Sequence, residues 1–329
     1  MPVPPGPSLE RCTVILTPRD LFSVTEECLA HLFANTPEPF DLIVAMGGAP
    51  AELRTRLEAT LAGKARLIFT PAFQNTAELR NLALPQATTR LAVCLDTNVF
   101  VRPNWLAPLV RCQQETGASL VVPLVLEGDD RIHTAGNDLF VTHENGAAFG
   151  AMELRFHGKR VCETTNLTRR PVDFGEVHCE LLLVDDALRL AIHDEHLREG
   201  TDIDSGLTLT RAGRTMVFEP ASVVYLYYPP LITHAMDVPF HRWKWDIPAV
   251  MASYRHIREK WQIDVGGPRG HFKRYLVDVN ARVGPLTQLY PSRPTIFLDR
   301  LARDLRARLP QVSSLGHRFT AWRAGYYKS

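Results

Sequence analysis

The chain has no long apolar run. Nothing in its 329 residues approaches the ~18 consecutive apolar residues that a membrane-spanning helix requires. Its first residues, Met1-Pro2-Val3-Pro4-Pro5-Gly6-Pro7, lack the basic region and apolar core of a secretory signal, and 1–10 reads as a disordered Pro-rich lead. Cysteine is sparse: the six residues Cys12, Cys28, Cys94, Cys112, Cys162 and Cys179 are scattered and form no C-x-x-C pair. They read as reduced core thiols of a cytoplasmic protein, and zinc is not expected. Missing too are a G-x-G-x-x-G after the first strand and a Walker loop, which argues against a dinucleotide-binding dehydrogenase and a P-loop NTPase. There is no internal repeat.

What is present is the composition of a soluble globular protein, 45% apolar and 22% charged, long enough for one large or two ordinary domains. The formal net charge of +1 conceals an asymmetry. From Arg269 to Lys328, twelve Lys and Arg face three Asp, so the tail is strongly basic and the remainder acidic. That points either to an anionic surface or partner, or to a basic helical tail lying on an acidic domain. No nucleic-acid partner is expected.

Strands alternate with helices along the first half. Strands are predicted over 13–16, 40–46, 65–69, 91–95 and 119–125, and helices over 23–33, 51–62, 76–84 and 105–115, with Ser23 or Thr25 as N-cap of the first. That alternation predicts a mostly parallel sheet with helices on both faces. Gly47-Gly48 reads as a tight turn. The stretch 131–170 suggests hairpins and loops. Helices at 185–191 and 203–212 precede a strand at 215–218. Beyond Pro229-Pro230 the chain turns to aromatic and basic helices.

Two segments carry chemistry. The apolar run Leu91-Ala92-Val93-Cys94-Leu95 ends in Asp96-Thr97-Asn98, and ligands of open α/β sheets bind beyond the carboxyl ends of strands. Asp96 is suited to a cation or a ribose, or to capping the turn. The acidic loop from His193 to Asp204 packs Asp194, Glu195, Asp202 and Asp204 ahead of a helix. Asp202 reads either as a helix cap or as a general base held at a helix start.

Taken together, these segments resemble the family 2 nucleotide-sugar glycosyltransferases of the GT-A fold. Val14-Ile15-Leu16-Thr17-Pro18 is similar to the family's first strand, and Arg80-Asn81 to its R-N pair. Leu95-Asp96-Thr97-Asn98 through Pro103-Asn104-Trp105-Leu106 resembles its L-D-x-D-x-x-x-x-P-x-W-L segment. Ala135-Gly136, Asp194-Glu195, Asp202-Ile203-Asp204, Arg211-Ala212-Gly213 and Phe218-Glu219-Pro220 follow in the family's order. Tyr228-Pro229-Pro230, Asp237-Val238-Pro239-Phe240, Arg242-Trp243 and Lys260-Trp261 resemble one branch of it.

The resemblance implies a GT-A domain over 11–235, with a nucleotide half (11–106) and an acceptor half (107–235), then a helical basic extension over 236–329. It implies transfer of a sugar from a nucleoside diphosphate to an acceptor hydroxyl, in surface polysaccharide or glycoconjugate synthesis. Asp202 would be the base, with Asp204 next in line. Thr17, Pro18, Met46, Arg80, Asp96 and Asn98 would face the nucleotide sugar. Asp194, Glu195 and Trp243 would lie on the acceptor side, and Asp96 with Asn98 would hold Mg²⁺ or Mn²⁺ weakly. Departures are as informative. Asn98 replaces an Asp and loses a charge. Met46 stands where many members have an Asp for the nucleobase, Phe73 where they have Asn, and Thr201 where they have Glu. Leu226 replaces a metal-binding His, for which His234 is a candidate substitute. These losses leave two readings, an enzyme with an unusual donor pocket or a catalytically inactive nucleotide- or sugar-binding module.

The helix at 296–309 sets Phe297, Leu298, Leu301, Leu305 and Leu309 on one face and arginines on the other. It fits peripheral contact with the inner membrane face, or docking on its own domain or a second subunit.

Overall fold

The computed structural model describes residues 9–265, 276, 278–289 and 292–308. The Pro-rich lead up to residue 8, Leu309, and Arg269, Lys273, Arg274, Arg318, Arg323 and Lys328 of the basic tail lie outside them. The first half runs β1 (Cys12–Thr17), α1 (Thr25–Asn35), β2 (Phe40–Gly47), α2 (Ala51–Leu61), β3 (Arg66–Thr70), α3 (Thr76–Ala83) and β4 (Leu91–Asp96). Next come β5 (Val99–Val101), α4 (Leu106–Thr116), β6 (Leu120–Glu127), β7 (Arg131–Thr134), β8 (Asn137–Glu144), β9 (Ala147–Leu154) and β10 (Arg170–Pro171). The chain continues through β11 (Cys179–Leu183), α5 (Val184–Leu190), α6 (Thr201–Arg211) and β12 (Met216–Leu226). After these stand α7 (Asp237–Lys244), α8 (Ile247–Trp261), β13 (Ile263–Asp264), α9 (Pro285–Leu289) and α10 (Arg293–Arg308).

The main sheet has the order β10-β12-β6-β11-β4-β1-β2-β3, with β5 paired to β12 and β7 to β6. Pairing is parallel among β4, β1, β2 and β3 and between β6 and β12. β11 is inserted antiparallel between β4 and β6. A smaller sheet, β13-β9-β8, stands apart.

Alternation within the strands sorts the core onto two faces. Val14, Leu16, Leu42, Val44, Met46, Leu91, Val93 and Leu95 belong to the cluster that also takes in α1, α2 and α4. Ile15, Ile43, Ala45, Ala92 and Cys94 belong to the other, with Leu79 and Ala83 of α3. With both faces covered, these strands are near-continuous apolar runs, as buried parallel strands must be.

Helix starts differ from the sequence reading. α1 begins after Val24 and has no side-chain cap, because Ser23 is drawn to Asp237 and Thr25 to the Phe22 carbonyl. The N-cap of α6 is Gly200 at φ 84°, which puts Asp202 inside the first turn. A side chain on Gly200 would also strike Ile257 of α8. α3 has a full capping box: Asn75 accepts from the Glu78 amide at 2.9 Å and Glu78 accepts from the Asn75 amide at 2.6 Å.

Candidate active site

The strand alternation that puts Leu91, Val93 and Leu95 on one face turns Asp96 toward α3. There it meets Arg80, which is fully buried. Arg80 donates to Glu180 at 2.6 Å, to Asp96 Oδ1 at 3.2 Å and to the Val177 carbonyl at 2.5 Å. The antiparallel register opposes Glu180 to Cys94, and two residues along, the Asp96 amide donates to the His178 carbonyl at 3.0 Å. His178 Nδ1 then lies 3.1 Å from Asp96 Oδ2. Arg80 thus neutralises two buried carboxylates, and both oxygens of Asp96 are engaged.

Thr17 pairs in register with Asp96, and its buried hydroxyl makes no hydrogen bond. Pro18 is buried beside it. Met46 is fully buried in the α1/α2/α4 core, where period-two spacing places it with Leu42 and Val44. Leu226 is core as well, while His234 is exposed. The amide of Asn98 donates to the Tyr227 carbonyl at 3.3 Å, and its Oδ1 is buried without a partner. The strand-end pair therefore offers one neutral oxygen beside a guanidinium-bound carboxylate. On its own that is a weak donor set, and a divalent cation there would complete its shell with waters and substrate phosphates.

The acidic loop is held by α3. Asn81 donates to the His193 carbonyl and to Glu195 Oε1, each at 2.9 Å, and Asn75 donates to the Glu195 carbonyl at 2.8 Å. Asp194 accepts from Lys260 and His256 at 2.9 Å and contacts His196 at 2.9 Å. Burial pushes its carboxyl up, but the bonds from Lys260, His256 and His196 outweigh that and hold it well below the usual range. A cleft of about 540 Å³ opens here, lined by Asp194, His196, Arg211 and Trp261 among others. It lies toward the far end of α6 from Asp202.

The two aspartates of α6 have different fates. Asp204 is fully buried and accepts from Lys260 Nζ at 2.9 Å and Trp261 Nε1 at 2.7 Å, which ties α6 to α8. Asp202 is partly buried at the head of the helix. Burial, together with the charges of Glu199 and Glu176, pushes its carboxyl up to about 7, against the opposing pull of Arg19. Arg19, in the loop after β1, pairs with Glu199 at 2.9 Å, and Lys244 approaches the other Glu199 oxygen at 3.1 Å. Trp243 stacks against Phe240 and packs on Phe73, with the Arg198 guanidinium 4.2 Å over its ring. Trp245 is buried and donates to Asp20 at 2.9 Å, so this second tryptophan packs the extension onto the domain.

Sequence reasoning overlooked Arg19, His133, Glu176, His178 and Glu180. A signal existed for three of them: Glu176-x-His178-x-Glu180 repeats at the period of an extended strand.

Residues 14–174 match the family described as Glycosyl transferase family 2. Among solved structures, GalNAc-T7 with UDP, GalNAc and Mn²⁺ superposes with a TM-score of 0.51 at 16% identity. That match covers 92% of this chain and 59% of the other, so this chain spans about three-fifths of its length. The mannosyltransferase PcManGT from Pyrobaculum calidifontis, in complex with GDP-Man and Mn²⁺, gives a TM-score of 0.47 at 14% identity, over 97% and 88% of the two chains. A comparison with curated proteins finds none that matches. The sheet order and the match over 14–174 lead to one conclusion: residues 14–174 belong to glycosyl transferase family 2, a family of transferase enzymes, and the chain has the GT-A fold.

Proposed function

We propose that this protein transfers a sugar from a nucleoside-diphosphate donor to an acceptor hydroxyl, with Asp202 as the general base. The carrying observation is the position of Asp202: beyond the segment 14–174 that matches family 2, it heads α6, where the charges of Arg19 of the β1 loop and of Glu176 act on it. In the reaction, Asp202 takes the proton of the acceptor hydroxyl as its oxygen bonds to the sugar's anomeric carbon. The bond from that carbon to the diphosphate oxygen breaks, and the diphosphate departs with the electron pair. Arg19 supplies positive charge at the strand ends for that leaving group. Asp204 is tied to Lys260 and Trp261, so the base role falls to Asp202.

The test is donor turnover with UDP-, GDP-, dTDP- and CMP-sugars, with and without Mn²⁺. Turnover of at least one donor, reduced about 10²–10⁴-fold in Asp202→Asn, is the expected result. The absence of both a thermal shift and turnover with every donor would overturn it. A second reading, a nucleotide-sugar-binding module without catalysis, is favoured by the engagement of both Asp96 oxygens and the burial of Met46. It predicts a thermal shift without turnover.

The finer assignments belong to the same proposal. They are a GT-A domain over 11–235 with a basic helical extension, a glycan or glycoconjugate acceptor, and peripheral contact with an anionic membrane. The last is supported by α10, on which Phe297 (63% exposed), Leu298, Leu301 and Leu305 form an uncovered apolar stripe among arginines.

A further inference from the structure

We propose that His133, Glu176 and His178 form a site for one divalent transition-metal ion, separate from the strand-end pair Asp96 and Asn98. His133 comes from β7, and Glu176 and His178 from the turn leading into β11. His133 Nε2 lies 2.8 Å from Glu176 Oε2, and His178 Nε2 lies 3.5 Å from the same oxygen. Ligand atoms of all three fall within 4.8 Å of one another. That carboxylate oxygen is buried, yet it receives no hydrogen bond of acceptable geometry from either ring. Two imidazole nitrogens thus converge on one carboxylate oxygen at ion-pair distance.

The far side of each ring explains the convergence. His133 Nδ1 lies 2.9 Å from Glu127 Oε2, and His178 Nδ1 lies 3.1 Å from Asp96 Oδ2. A carboxylate at Nδ1 keeps the ring proton on that nitrogen and leaves the Nε2 lone pair outward, the arrangement that orients metal-binding histidines. In the metal-free protein a proton on His133, between Glu127 and Glu176, supplies positive charge to this cluster, and a metal ion would displace that proton. Asp96, held by Arg80 through its other oxygen, is the outer partner that aims His178. Two imidazoles and one carboxylate leave an open position and suit Zn²⁺, Co²⁺ or Mn²⁺ over Mg²⁺ or Ca²⁺. No cysteine takes part.

The test is made on full-length, tag-free protein stripped with a chelator, without donor, so its outcome is independent of the transfer reaction. Zn²⁺ and Co²⁺ are titrated calorimetrically, and the Co²⁺ form is read by its visible spectrum. One equivalent per chain is expected, with an absorption band of nitrogen-ligated Co²⁺. His133→Ala and His178→Ala should weaken binding at least 100-fold. Glu127→Gln, which removes only the outer partner, should weaken it roughly 10–100-fold, and His234→Ala should leave it unchanged. Circular dichroism of the stripped variants reports folding. If an alanine variant does not fold, X-ray absorption of the Zn²⁺-loaded wild type decides, with two imidazole nitrogens in the shell expected. No stoichiometric uptake, uptake that survives in both folded histidine variants, or an all-oxygen shell would overturn the proposal.

Discussion

The charges of Glu199, Glu176 and Arg19 all act on Asp202, and Glu199 and Asp202 both act on the buried Tyr254. The Asp202 carboxyl is pushed up to about 7, above the ordinary value of 3.8, so two pH effects follow. Transfer needs the ionised form, so kcat/KM should rise with pH through about 7 and level off above it. Stability runs the opposite way. The native state holds this proton more tightly than the unfolded chain does, so the contribution is complete below pH 3.8 and is lost as pH rises through about 7. Asp202→Asn should therefore melt higher than wild type at pH 8, by on the order of a few kcal/mol, and match it near pH 4. Paired melting curves at the two pH values check this.

Arg80 gives a second, sharper test. A guanidinium facing a nucleotide would cost only donor affinity when removed. Here it lies between Glu180 and Asp96 with no exposure, and its loss strands two buried carboxylates. Arg80→Met should destabilise the fold by about 3–5 kcal/mol in urea titrations. The Arg-Asn pair is visible in the sequence, but its partners are not. Glu180 is 100 residues away, and only the antiparallel insertion of β11 brings it to α3.

Helices and strands with strong local signals fall close to where sequence patterns put them. β2, spanning Phe40–Gly47, and α2, spanning Ala51–Leu61, lie within a residue of expectation. The turn between them rests on Gly48 at φ 65°, where a side chain would also strike the Phe73 ring. Gly48→Ala should cost about 1–2 kcal/mol for the left-handed backbone alone, and more for the clash, read as a lowered Tm. β5 and β11 went unassigned, because three- and five-residue strands flanked by polar residues carry little periodicity of their own. The tie between α6 and α8 is also non-local. Trp261→Phe removes the donor to buried Asp204 and should cost about 1–3 kcal/mol. Chemical denaturation measures it, and donor binding should be spared.

The helices from Asp237 onward join the rest of the chain at several points. Asp237 accepts from the Phe22 and Ser23 amides at 2.7 and 2.9 Å, and Lys244 and Trp245 reach Glu199 and Asp20. α10 is different, with Phe297, Leu298, Leu301 and Leu305 exposed along one stripe. If it rests on a membrane, the protein should co-sediment with vesicles rich in anionic lipid and not with neutral ones. Raised salt and Phe297→Glu should each reduce that binding. No helix among the described residues is long and apolar enough to cross a membrane.

Apolar periodicity, turn residues and motif order were enough to read an α/β sheet, its helices and a GT-A family domain from the chain, because those signals are local and recur at the spacing of the element they build. The same reading put Asp96 at a strand end and Asp202 at a helix start. Which way each carboxylate turns, and what charge meets it, was settled by contacts between residues far apart in sequence. Strand alternation and the β11 register give Asp96 to Arg80 and His178. α8 claims Asp204. Asp202 is left beside Glu199, Glu176 and Arg19. A pattern can place a carboxylate on an element, but its burial and its partner depend on which distant element packs over it.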